Sequence, residues 1–405
     1  MVKKDRSGIV NKTYLMIMIP LFYQKHLKSQ LSLAEYLFLQ IVVNILQSIK
    51  NVNLERLANG IPLPIKFESR RKRIQRFLSL PNLTIEKIWF PIIKEWLSIY
   101  FTNEEIIYVA IDRTNWSRIN LFMVSVIWDK RAFPIYFKLL PKLGSSNIDE
   151  QQKILSQVMP LFHNYKICVL GDREFCSVKL AKYLQSLGIY FCLRLKKNEF
   201  VEVEKDIFQE LNNLGLEPGV SFFIQGVKVT KTRGFMSFNV ACKWKRKING
   251  VAPKEGWFIL TNFDALELAI SAYKQRFDIV RPWRSRRVEM FRDFKKGGYN
   301  LEETNVTGER FISLVLLIAI AYSSATIQGQ NIKRKGIQKY IARIKEYGRR
   351  ERRHSSFYIG LYGQTWVNFK DVCIDLVTKL MKLNRNKRKY YQQGLRAMKL
   401  IESVL

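Results

Sequence analysis

Between residues 106 and 195 five apolar, strand-like runs follow one another: IIYVAID, NLFMVSVIWD, AFPIYFKLL, KICVLGD and IYFCLRL. All five read as strands, and KICVLGD as a buried one. A sheet built of them needs helices to cover it, and the intervening sequence supplies them. Residues 149–161 read as one helix, and SVKLAKYLQSL, closed by Gly188, reads as another. The second and third runs are joined by Asp129-Lys-Arg, a turn-forming link between two strands. The predicted class is α/β.

The flanks differ in texture. Residues 1–100 read as a helical, DNA-binding domain. Ser32-Leu-Ala-Glu35 is a capping box that opens an apolar-periodic helix, LERLAN is a short helix stopped at Gly60, and FESRRKRIQRFLSL is a third helix. That third helix sets Ile74, Phe77 and Leu78 on one face and Arg70, Arg71 and Arg73 largely on others. The arrangement fits a helix-turn-helix and fits a solvated basic face equally well. Residues 101–199 form the first part of the α/β core. Residues 200–256 change to short alternating runs, a β-rich insertion, and residues 257–325 return to the core with WFILTNF and a helix expected to be capped by Asp264-Ala-Leu-Glu267. Residues 326–405 form a basic helical C-terminal region.

Charge narrows the function. The 405 residues carry a formal charge of +34 and a pI near 10.0, which calls for a polyanionic partner. A membrane surface is the rival, but the longest apolar run, residues 311–321, falls short of the roughly 20 residues that span a bilayer and reads as a buried helix. The expectation is a cytoplasmic, nucleoid-associated protein without a membrane partner. The five cysteines show no Cys-x-x-Cys spacing and read as reduced core residues, and the three histidines stand apart from them and from each other. Zinc therefore has almost no ligands to draw on, so a bound metal would take oxygen donors.

Two aspartates, Asp112 and Asp172, sit at or just after the ends of apolar runs. Ligands of α/β sheets bind at the carboxyl ends of strands, and carboxylates converging there hold the divalent ions that phosphodiester chemistry uses. The plain alternative for each is a turn or helix cap. Downstream, residues 273–296 read YKQRFDIVRPWRSRRVEMFRDFKK, an acidic helix face around Glu289 and Asp293 set among arginines and lysines. Of the tryptophans, most read as core, with Trp283 amid four arginines the exception.

VAIDRTNW, LGDREF, YKQRF and EMFRDFKKGGYNLE together closely resemble the insertion-sequence-four transposases that carry a Tyr-Arg-Glu-Lys signature. The resemblance implies a ribonuclease-H-like catalytic core interrupted by a β-rich insertion. It also implies that Asp112, Asp172 and Glu289 bind two magnesium ions, with manganese able to replace them. By position, Tyr273 and Arg276 match the first two signature residues and Lys295 the last, with Lys296 beside it. The family role of these residues is to contact DNA near the cut end. The implied partners are double-stranded DNA, both terminal repeats and target, and a second copy of the chain. The implied activity is cleavage at element ends and strand transfer by a cut-and-paste route.

The sequence departs from the signature at its glutamate, which stands seven residues from both the tyrosine and the lysine. Position 280 is valine, and counting back from Lys295 gives Val288. Pairing Glu289 with Lys296 restores the spacing, with Ser285 capping a new helix. A remnant that lost its third carboxylate and only binds DNA is the alternative, as is a nuclease or resolvase of the same fold.

Overall fold

The fold is given by a computed structural model that describes residues 19–229, 237–246, 255–276, 289–295, 298–344, 347, 354–383 and 385–404. Among these are twelve α-helices and ten strands, eight of the strands in one mixed sheet. The chain divides into two compact units, residues 25–319 and residues 1–24 with 320–405.

The larger unit begins with helices. α1 (Leu21–Gln30) leads into α2 (Leu33–Ile49), whose Ser32 cap and Glu35 exchange the reciprocal hydrogen bonds of a capping box. α3 (Leu54–Gly60) packs on the arginine-rich α4 (Phe67–Phe77), and a π-helical turn then runs into α5 (Phe90–Tyr100). Trp96 of α5 stacks on Phe133 with ring centroids 4.0 Å apart, and the Trp89 indole donates to the Pro134 carbonyl at 3.1 Å. Aromatic burial of this kind fixes the helical segment against the sheet through large apolar area, and the Trp89 indole N–H is satisfied there.

The sheet starts as an antiparallel meander of β1 (Ile106–Trp116), β2 (Ile119–Trp128) and β3 (Arg131–Leu139). β1 continues four residues past Asp112, because its far edge stays paired with β2 up to Trp116. The β2–β3 link is a two-residue turn in which Asp129 and Lys130 both take positive φ, 48° and 61°, the twist that joins adjacent antiparallel strands. On the other side β1 pairs in parallel with β4 (Lys166–Gly171), and β4 with β5 (Tyr190–Arg194). α6 (Ile148–Val158) and α7 (Val178–Ser186) supply the crossovers. α6 opens on an Asn147–Glu150 capping box and ends in a 3-10 turn over the last residues predicted as helix.

Residues 200–256 do not stand apart from this sheet. β6 (Phe200–Glu204) and β7 (Ile207–Glu210) make a small separate hairpin, but β8 (Ser221–Lys228) and β9 (Ser237–Lys243) extend the main sheet beyond β10 (Trp257–Thr261). The strand order is β3-β2-β1-β4-β5-β10-β9-β8. The reason lies in β9, where Val240, Ala241 and Cys242 are buried in succession, so both of its faces need cover. α8 (Leu266–Lys274) packs over this half through Ala269, Ile270 and Tyr273. It starts one residue after Ala265, which makes no side-chain cap bond, so the capping box read at Asp264 and Glu267 does not form. α9 (Glu289–Phe294) returns the chain to the sheet against β3.

α10 (Gly308–Arg334) contains the apolar run read at residues 311–321 and extends it to 27 residues, long and apolar enough to cross a membrane. Yet 94% of its most apolar window is buried within the protein, as in a core helix. In the smaller unit, α11 (Ser356–Leu383) crosses the C-terminal half of α10 at Gly329 and Gly360, where an added Cβ on either would collide with the other helix's backbone. α12 (Arg388–Glu402) closes a cluster of Ile332, Ile359, Val367 and Ile401.

Candidate active site

The parallel register of β1 and β4 builds the site. Ala110 lies opposite Leu170, the last pair of that ladder, and two residues further along each chain come Asp112 and Asp172. The parallel ladder ends there, so Asp112, which lies within β1 rather than at its end as the sequence suggests, stands beside Asp172, the first residue past β4. Gly171, the last residue of β4, lets Leu193 and Phe175 pack against the backbone here, since a Cβ on it would come within 3.0 Å of both. Asp172 Oδ1 then accepts the Glu174 amide at 3.0 Å, and Asp112 Oδ1 accepts the Arg113 amide at 2.9 Å.

Arg276, at the end of α8, joins the pair. Its Nη2 is 3.3 Å from Asp112 Oδ2 and 3.3 Å from Asp172 Oδ2, and the residue is only 8% exposed. Burial pushes the Asp112 carboxyl up to about 6; Arg276 pulls against that rise, while the charges of Asp172 and Glu174 add to it. Tyr273 is fully buried and meets Trp257 edge-on at 5.2 Å, and burial raises its phenol to about 12. From there it supports Arg276 from behind rather than facing solvent.

A second layer, unassigned in the sequence reading, holds the carboxylates in place. Arg113, next to Asp112, grips Glu174 through Nε at 2.5 Å and Nη2 at 2.9 Å, and its Nη1 donates to Asn120 at 2.9 Å. Asn120 in turn donates to the Lys142 and Gly144 carbonyls. Arg173 and Arg194 both pair with Glu255, which comes from the end of the β-rich segment. The available signal was adjacency: each of Arg113, Arg173 and Glu174 lies within two residues of an aspartate in VAIDRTNW or LGDREF.

No family model matches the chain, and no curated protein matches it by sequence. Among solved structures it is similar to piggyBac transposase in a synaptic complex with hairpin DNA, at a TM-score of 0.38 and 13% identity, over 89% of this chain and 80% of that one. It is also similar to Marinitoga piezophila Argonaute in complex with 5′ OH guide RNA and target DNA, at a TM-score of 0.24 and 11% identity, over 57% of this chain and 34% of that one. At such scores neither likeness bears on the chemistry of the site.

The remaining predicted residues are distributed as follows. Glu289 opens α9, with its side chain outside the described residues, and Lys296, Trp283 and Ser285 lie outside them altogether. Asp293, read as part of an acidic face with Glu289, instead points into the core, 2.9 Å from buried Arg131. A helix packed on β3 must bury one side, and Asp293 falls on that side with Met290 and Phe294. Lys295 pairs with Glu302 at 2.8 Å and lies 4.8 Å from the Trp116 ring centroid. On α4, Arg71 pairs with Glu55 at 2.7 Å, Arg70 donates to the Ile61 carbonyl, and Arg73 sits 4.9 Å from the Phe38 ring centroid.

Among the described residues no group of three or more His, Cys, Asp or Glu side chains is placed to share a metal ion. The Asp112–Asp172 pair nonetheless fits a hard divalent cation as donor chemistry: two carboxylate oxygens reach a single guanidinium nitrogen at 3.3 Å each.

Proposed function

We propose that this chain is a metal-dependent DNA transposase of the insertion-sequence-four type, with a ribonuclease-H-like catalytic core. The observation that carries the reading is the convergence of Asp112, Asp172 and Arg276, three residues far apart in sequence that belong to three of the motifs of the resemblance. The three-strand meander followed by two parallel strands, with both aspartates where the parallel pairing of β1 and β4 ends, supports the core assignment. The charge of +34 supports a DNA partner.

In this reading Asp112 and Asp172, joined by Glu289, hold magnesium ions, or manganese in their place. Divalent ions held there would supply charge to polarise the phosphodiester and to favour the deprotonated form of the attacking oxygen. Arg276 neutralises the carboxylates and presents a planar donor fork to a phosphate that approaches them. Arg113 and Glu174 keep the two aspartates in register. Lys295, Lys296 and the arginines of α4 contribute to DNA binding, the chain works as a homodimer on paired ends, and it resides in the cytoplasm at the nucleoid.

The test is to incubate the protein with duplexes carrying the inverted repeats that flank its gene, in Mg²⁺. Nicked or cut ends that Asp112→Asn abolishes, followed by joining to a target duplex, are the expected result. Cutting without joining identifies a nuclease or resolvase. The valines at positions 280 and 288 favour a second reading, a DNA-binding remnant; binding of the repeats without any cleavage by the wild-type protein establishes it.

A further inference from the structure

Three lysines gather on the α8 side of the sheet, next to the aromatic pair that backs Arg276. Lys243 ends β9 directly opposite Trp257 in the ladder, so both side chains leave the same face of the sheet. Lys245 lies two residues on, with its Nζ 5.8 Å from the Trp257 ring centroid. Lys274 is the last residue of α8 and adjoins Tyr273, whose ring packs on Trp257. Among the described residues none of the three lysines has an ion-pair partner.

We propose that Lys243, Lys245 and Lys274 form a seat for the phosphodiester backbone of DNA leading to the carboxylate pair. The fold brings Lys274 up to Lys243 and Lys245, and among the described residues no carboxylate pairs with any of the three. Burial, and then the charges of Lys243 and Lys245, hold the Lys274 ammonium below the ordinary lysine range. A row of anions laid across the patch removes that repulsion and releases counterions as it does so. The patch connects to the site by contact: Trp257 touches Tyr273, and Arg276, two residues past Lys274, touches Asp112 and Asp172. DNA crossing the lysines thus arrives within one helical turn of Arg276. The seat draws one lysine pair from the β-rich segment, which gives that segment a role on DNA and not only in the sheet.

This proposal rests on the transposase reading for its location but is scored separately. Binding of the full-length protein to a labelled duplex of arbitrary sequence is followed by fluorescence anisotropy across a salt series. Replacing all three lysines with Gln should weaken binding at least about tenfold and lower the slope of log K against log salt by about 2 to 3, since each phosphate contact contributes about 0.9. The triple Lys→Arg variant should bind like wild type. Replacing the exposed Lys28, Lys94 and Lys179 with Gln removes the same charge elsewhere and should change the slope by less than one. Equal losses in the two Gln variants, or unchanged DNA binding with loss of binding to phosphatidylserine vesicles, would overturn the seat. If wild type binds DNA but never cleaves it, the catalytic reading falls and the seat is still judged by the slope.

Discussion

Arg113 and Glu174 are joined by two hydrogen bonds, 2.5 and 2.9 Å long, across the gap between β1 and the chain leaving β4. Each stands within two residues of one of the site's aspartates. Their side chains are 13% and 19% exposed, so loss of one partner strands a largely buried charge, a change that costs about 3 to 5 kcal/mol. Glu174→Ala should lower stability by that order in denaturant melts. The apolar double variant Arg113→Met/Glu174→Leu should recover much of the stability yet bind Mg²⁺ more weakly than wild type by calorimetry, because the tie between the aspartates is gone. Wild-type Mg²⁺ affinity in the double variant would reduce the pair to a structural bond.

The raised Asp112 carboxyl predicts a specific pH slope. In the unfolded chain it takes its proton near pH 3.8 and in the folded protein near 6. Between those values the native state binds more protons than the unfolded state, so its contribution favours folding at low pH and is lost as pH rises from about 4 to about 6. The change amounts to at most about 3 kcal/mol. Asp112→Asn should flatten this segment of the stability profile and make the metal-free protein more stable than wild type at pH 7.

Arg276 and a divalent cation would compete for the same two oxygens. Arg276→Gln leaves Asp112 and Asp172 facing each other without a counter-charge, which should lower the melting temperature in EDTA. Addition of Mg²⁺ should then raise it by more than it does in wild type, since ligand binding to the native state stabilises it. Equal Mg²⁺-dependent shifts in the two proteins would show that the guanidinium does not contend with the cation.

Gly360 offers a test of the smaller unit. A Cβ there would overlap the Ala325 carbonyl, so Gly360→Ala must push α10 and α11 apart and should cost about 1 to 3 kcal/mol or more. Gly394, in α12 with open space around its Cα, should behave in the opposite sense: Gly394→Ala gains about 0.5 to 1 kcal/mol of helix propensity. Thermal melts of both variants check the pair.

Local patterns in the chain were legible wherever a residue's neighbours in sequence are also its neighbours in space. The capping box at Ser32 and Glu35, the turn at Asp129 and Lys130 and the five apolar strands all depend on contacts within a few residues. The position of Asp172 just past a strand was readable for the same reason, whereas Asp112, expected at a strand end, lies within β1 because pairing with β2 carries that strand on to Trp116. Asp264 was misread because a capping box needs a helix start that the sequence places only to within a residue or so, and α8 begins too late for it.

Everything that depends on strand pairing or packing lay beyond local pattern. Periodicity does not say which strands lie side by side, so nothing in the run of residues put β1 beside β4 or attached β9 to β10. A short amphipathic helix does not announce which acid it turns inward, and Asp293 went to Arg131 in the core while Tyr273 disappeared beneath Trp257. The sequence by itself determined an α/β chain with a strong positive charge and carboxylates at or just after its apolar runs. Only the tertiary structure decided that Arg276 sits between two of those carboxylates and that Arg113 ties their neighbours together, because long-range register and burial are set by the whole sheet at once rather than by any stretch of it.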